Sequence, residues 1–351
     1  MTRARLYFPA EWERHEATWI GWPHNASDWP GRMGPIPWVF AEFVRWLTPG
    51  ERVRILVQSV DQRRRAVAIL KRVGVNLKQV DWFVVPTNRG WTRDSGPLFL
   101  RRGGGKTGRV VIADFRFTAW AKYGNWRKDD AVARAVAPRL KVLRIEPVHQ
   151  GRRVVLEGGA IDVNGRGTLL TTEECLLDPR VQVRNPGFSR SDYEAVFCEY
   201  LGVTQTIWLG KGVAGDDTHG HVDDLCRFVN PTTVLLAQEA NTKDANYRPL
   251  NENRERLQSA RLESGARLNV ICLPMPEPVV FEGLRLPASY ANFYIGNHAV
   301  LVPTFNCFQD REALGIIAEC FPDRKVTGIH ARDLIWGLGA IHCLTQQQPA
   351  G

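Results

Sequence analysis

The sequence predicts an α/β fold in which five similar units close into a ring, a five-bladed α/β propeller. Three observations carry that expectation. Helical patterns begin near Asp61, Asp129, Arg190, Asn251 and Asp310, at intervals of roughly 60 residues. Each is followed by a short apolar strand, reading WFVVP, VLRIEP, TIWLG, NVICLP and KVTGI in turn. Beyond each strand lies a polar or glycine-bearing segment, and no linker or low-complexity tract interrupts the rhythm. A ring suits such a repeat because closing it leaves no end unit in need of a cap. Residues 1–351 therefore read as a single domain.

Taken in order, the N-terminal stretch MTRARLYFPAEWERHE lacks the apolar core of a secretory signal, and no later run reaches the ~18 apolar residues of a membrane span. Trp12, Trp19, Trp22, Trp29 and Trp38 occur with prolines, which reads as an irregular segment whose tryptophans mostly pack. In DQRRRAVAILKRVG, Val67, Leu70 and Val73 recur at helical spacing, so Arg63, Arg64 and Arg65 face solvent. GGGKTG at 103–108 is similar to a phosphate loop, but the pattern requires glycine at 100, where Leu100 stands. Between PLFL and RVVIADF it reads instead as a hairpin loop.

Composition excludes several classes of function. With 351 residues, 44% of them hydrophobic, the chain can bury a large core without staples. Seven cysteines, none in a CxxC pair, form neither a disulfide framework nor a zinc ribbon, and indicate reduced thiols in a cytoplasm. A net charge of +9 could signal a nucleic-acid partner, yet the basic residues form no patch interleaved with aromatics. Neither nucleic acid nor membrane is expected as a partner.

The segments after the five strands read WTRDSGP, LEGGAID, GDDTHGHVDD, YANFYIGN and GAIHC. In a closed ring their equivalent residues, Asp94, Glu157, His221, Asn292 and Cys343, converge on the axis. A lone cysteine is ordinarily a small buried hydrophobe. Convergence with a histidine and acids makes Cys343 a candidate nucleophile, with the histidine shuttling protons. Asp94, Asp223 and Glu157 are misplaced for an acyl substrate, whose oxyanion needs donors. They suit a planar cation, and a guanidinium matches paired carboxylates and would also stabilise the thiolate. His219 and His221 fall on one face of a strand and, with Asp216, Asp217, Asp223 and Asp224, form an alternative metal site; no cysteine or HExxH context supports it.

Seven segments, PAEWERHEATWIGWPHNASDWPG, WTRDSGPLF, LEGGAIDVNGRGTLLTTEECLL, RNPG, GHVDD, YANFYIGN and IHCLTQQ, resemble the agmatine deiminase and bacterial-type peptidylarginine deiminase family of the guanidine-modifying superfamily, nearly end to end. The resemblance implies a hydrolase without metal or organic cofactor, acting on a small-molecule guanidino substrate. Carried over by motif, Cys343 is the nucleophile, His221 the general acid and base, and Glu157 the residue orienting that histidine. Asp94 and Asp223 clamp the guanidinium nitrogens, Trp91 and Asp217 line the substrate channel, and Gly339 allows close backbone approach. Agmatine, giving N-carbamoylputrescine and ammonia, ranks first; another guanidino compound or peptidyl arginine is the alternative, and amidino transfer follows. The chain departs from strict agmatine deiminases at Lys122, at His219 and at Leu338-Gly339-Ala340, where the first two add positive or switchable charge near the site. Association into a homo-oligomer is left open.

Overall fold

The computed structural model describes residues 5–103 and 108–351. Its five main sheets share one construction, plainest in the fourth unit. There Cys226–Asn230 runs antiparallel to Thr233–Gln238, helix Tyr247–Ser259 crosses over, and Asn269–Pro274 returns parallel with Val234 opposite Val270. A parallel neighbour cannot be reached by a tight turn, so each unit needs a crossover helix. The same plan recurs with helices Val132–Leu140, Arg190–Leu201 and Gln309–Cys320 in the second, third and fifth units. Central strands such as Ala299–Thr304 and Thr168–Thr172 are buried almost throughout, because sheet and helix cover both their faces.

The first unit closes the ring. Its central strand His15–Gly21 pairs antiparallel with Thr345–Pro349, with Trp19 opposite Gln346. Helix Ile36–Leu47 then leads to the parallel strand Arg52–Val57, after which Val60–Arg72 and Val80–Val84 add a further helix and strand. The helix equivalent to the other crossovers is therefore Ile36–Leu47, and the one near Asp61 belongs to an extension. This corrects the expectation of an irregular tryptophan segment. Pro35 and Pro37 flank the first helical position, where the missing N–H is not needed, and Ile36, Phe40, Val44 and Leu47 form its buried stripe. Trp19, Trp22 and Trp29 are buried as expected, whereas Trp38 is 40% exposed.

Arg63, Arg64 and Arg65 do face solvent, but the buried stripe of their helix is Gln62, Ala66 and Leu70, with Val67 and Val73 only partly covered. The helix expected near Asn251 begins earlier, at Tyr247, and the one near Asp129 begins at Val132. Leu98–Arg102 and Arg109–Ala113 form the expected hairpin, while residues 104–107 of its loop lie outside the described residues. No helix among the described residues is long and apolar enough to cross a membrane.

One short turn precedes the inner strand of every unit: Thr92–Ser95, Gly158–Ala160, Val222–Asp224, the bend ending at Asn292, and His342–Leu344. The Thr92–Ser95 turn packs on those at His342–Leu344 and Gly158–Ala160, and the latter packs on Val222–Asp224. The Asn292 amide completes the circle by donating to Asp224 at 2.8 Å and to the Cys343 sulfur at 3.1 Å.

Candidate active site

Cys343 lies at this axis, 5% exposed, at the floor of a cleft of about 170 Å³. Its thiol donates to Asp223 Oδ2 at 3.6 Å. Burial pushes the thiol well above its ordinary pKa, and the negative charges of Asp223, Asp224 and Asp94 push the same way. Gly339 gives the sulfur its room: a Cβ there would stand 2.8 Å from the Trp91 ring and 3.2 Å from Cys343 Sγ. Trp91 lines the cleft and packs against Trp29 with ring centroids 5.3 Å apart.

Asp94 accepts from the Gly159 N–H at 3.0 Å and from the Trp120 indole at 2.8 Å. Burial, reinforced by Asp223 and Glu157, raises its pKa to about 6 against the opposing effect of His221. His221 is fully buried, with Nε2 3.8 Å from Glu157 Oε2 and Nδ1 3.8 Å from Asp94 Oδ1. Burial opposes its charge, but Asp94, Cys175 and Glu157 outweigh burial and hold its pKa well above the usual histidine value. Glu157 receives the Arg184 Nε–H at 3.2 Å from each of its oxygens, which keeps it ionised despite its burial. The expected Cys343, His221, Glu157, Asp94 and Asp223 thus meet within one buried circle.

Beneath it lies a second layer to which sequence reasoning assigned no role. His342 bridges Asp223 Oδ2, at 2.7 Å from Nδ1, and Glu11 Oε2, at 2.8 Å from Nε2. Glu11 also takes Arg93 and Arg227 at 3.0 Å each, and burial notwithstanding, Arg227, His342 and Arg93 hold its carboxyl well below the usual range. Asp223 is kept low against its burial chiefly by the His342 hydrogen bond, while burial and Asp223 drive Asp224 well above its ordinary value. Glu11, Arg184 and His342 all sit inside the motif segments PAEWERHE, RNPG and IHC, which was the only available signal.

At the mouth, Asp217 lines the cleft as expected, but its carboxylate is taken by Lys122 and by the Tyr123 hydroxyl at 2.7 Å. His219 does not reach the site; its ring pairs with Asp178 at 2.9 Å. The paired-histidine metal site therefore does not assemble, since His221 turns to the axis and His219 to the rim. Two other triplets bring donor atoms within 4.8 Å of one another, Glu157 with Cys175 and His221, and Asp223 with Asp224 and Cys343. In the first, the carboxylate already carries Arg184.

Fold and site together define a class, a closed α/β propeller with one thiol, one imidazole and several carboxylates converging on its axis. The chain belongs to the Porphyromonas-type peptidyl-arginine deiminase family, whose model matches residues 7–349. It is 37% identical to the agmatine deiminase of Ectopseudomonas mendocina over a 370-residue alignment covering 98% of this chain and 96% of that one. The agmatine deiminase of Stutzerimonas stutzeri is also 37% identical, with 98% and 95% covered. Among solved structures, the agmatine deiminase of Enterococcus faecalis superimposes with a TM-score of 0.88 at 29% identity, covering 99% of this chain and 98% of that one. The substrate-bound agmatine deiminase of C. jejuni gives 0.87 at 28%, with 100% and 98% covered.

Proposed function

We propose that this protein hydrolyses agmatine to N-carbamoylputrescine and ammonia, with residues 1–351 acting as one domain and Cys343 as the nucleophile. One observation carries the mechanism: the thiol is buried among carboxylates that hold its proton on. A neutral or anionic electrophile leaves it inert. A guanidinium held by Asp94 and Asp223 brings the missing positive charge, so the thiol gives up its proton to solvent as the substrate enters. The sulfur then bonds to the guanidinium carbon. Protonated His221 passes its proton to one nitrogen, the C–N bond breaks, ammonia leaves, and an S-alkylthiouronium remains on Cys343. His221, now neutral, takes a proton from water as its oxygen attacks the same carbon. Collapse breaks the C–S bond and releases the ureido product.

Glu157 keeps the imidazole facing the axis, and Arg184 keeps Glu157 charged. Gly339 and Trp91 shape the wall beside the sulfur, and Asp217 stands where a distal amine would arrive. A peptidyl arginine or other guanidine is the alternative substrate, and amidino transfer is less favoured. All seven cysteines are free thiols, which agrees with a reducing, cytoplasmic setting.

The test is incubation with agmatine, arginine and an arginine-terminated peptide at equal concentration, with ammonia and ureido products read by mass. Agmatine is expected to be consumed first. Cys343→Ala should abolish turnover while the protein stays folded, since no other group supplies the covalent step. His221→Asn should stall, with any adduct retained on Cys343. Turnover of an amine acceptor without free ammonia identifies amidino transfer, and near-normal ammonia release by either variant overturns the mechanism.

A further inference from the structure

The cleft is lined by residues of two neighbouring ion pairs. Asp217 is held by Lys122 and Tyr123, and Asp28 is held by Arg89, whose guanidinium also lies 4.4 Å from the Tyr123 ring centroid. The charges cancel, so the mouth offers an arriving cation no net attraction, in contrast to the carboxylates around Cys343. Burial raises Tyr123 to about 12, so its hydroxyl remains a donor and occupies the second Asp217 oxygen.

The arrangement is built rather than incidental. Ala119, Trp120 and Ala121 all hold positive φ, at 47°, 58° and 52°, a left-handed run without a glycine. Such residues are strained and persist only where surroundings fix them. Here Gln182, itself at φ 45°, donates to the Trp120 and Asp217 carbonyls at 3.0 and 3.1 Å and ties the two loops together. One end of the strained turn sets the Trp120 indole on Asp94, and the other sets Lys122 and Tyr123 on Asp217.

We propose that Lys122 is a specificity-determining residue: by competing for Asp217 it narrows the site's preference for agmatine's distal amine, so that guanidines of the same length with a neutral or carboxylate end are also admitted. A distal amine must displace the lysine to reach Asp217, whereas a distal carboxylate can share it. The inference rests on the guanidine reading of the site above.

The experiment compares agmatine, butylguanidine and 4-guanidinobutanoate, which differ only at the end remote from the guanidine, using the native protein, Lys122→Met, Asp217→Asn and the double variant. Lys122→Met keeps the apolar stem and removes the charge. It is expected to raise the agmatine to 4-guanidinobutanoate ratio of kcat/KM by about tenfold or more, chiefly through KM. Asp217→Asn should lower that ratio, and in the double variant the Lys122→Met gain should shrink to about twofold or less. An unchanged ratio in Lys122→Met, or an equal gain with and without Asp217, overturns the role of Lys122. Absence of ammonia from all three guanidines with the native protein overturns the underlying reading instead.

Discussion

Asp94 accepts two hydrogen bonds, faces His221 and remains buried, and these demands leave it titrating near neutrality, at about 6. Its pKa is raised, so the ionised, cation-binding form is present above that value and disappears as pH falls through it. Because kcat/KM reports the free enzyme, it should decline on the acid side with an apparent pKa of about 6, by about a decade per pH unit. Asp94→Asn should lose this limb and lower the plateau by about two decades. A native profile flat down to pH 5 contradicts the assignment. The axial groups could be found in the sequence because each follows an apolar strand at a recurring interval. Their supports could not: Glu11 and His342 are 331 positions apart, and nothing in a single glutamate within PAEWERHE indicates that it faces two arginines and a histidine. Lys122 was visible as an unusual residue near the site, but its grip on Asp217 depends on a left-handed turn without the glycine that normally announces one.

At the scale of elements, the five axial turns succeed because they are short enough to abut. Gly159 is the joint where the reacting groups themselves crowd the backbone: a Cβ there would lie 2.6 Å from His221 Nδ1 and 2.8 Å from Asp94 Oδ1. Gly159→Ala should therefore push the imidazole and the clamp apart and lower kcat/KM by about 100-fold, the scale expected for a misplacement near 1 Å. Thermal unfolding, measured alongside, should move far less than activity does. Activity close to native would mean that the turns do not set the geometry. Four outer strands were read in place because apolar runs bounded by polar segments survive in any register, whereas the remaining run, WFVVP, lies in the extension beside Arg52–Val57. The first unit was misaligned by one helix because Ile36–Leu47 starts among prolines, which signal irregular chain as readily as a helix start.

For the whole molecule, stability depends on the seam between Thr345–Pro349 and His15–Gly21. Its polar sequence, TQQQP, resembles a solvated tail, yet every residue of the strand is buried. Two of the glutamines are occupied by side chains from distant parts of the chain. Gln348 accepts the Trp19 indole at 3.0 Å and also takes Arg54, while Gln347 accepts from Arg93 at 2.8 Å. Gln348→Ala strands a buried indole N–H and should reduce global stability by about 1–3 kcal/mol. Urea unfolding should show the midpoint falling with the slope unchanged. An unaltered midpoint would mean that the seam contributes little to holding the ring shut.

The same seam fixes a timetable. Synthesis runs from the N-terminus, so Asp94, Glu157, His221 and Asn292 leave the ribosome before Cys343 does. The first unit must wait with an unpaired strand edge until residues 345–349 arrive to fill it. A translation product interrupted upstream of residue 343 carries the substrate clamp and the proton shuttle but no sulfur to react. Arming of the nucleophile and closure of the ring thus fall together, because the strand that shuts the ring follows the cysteine directly and the groups that flank the thiol are made before it.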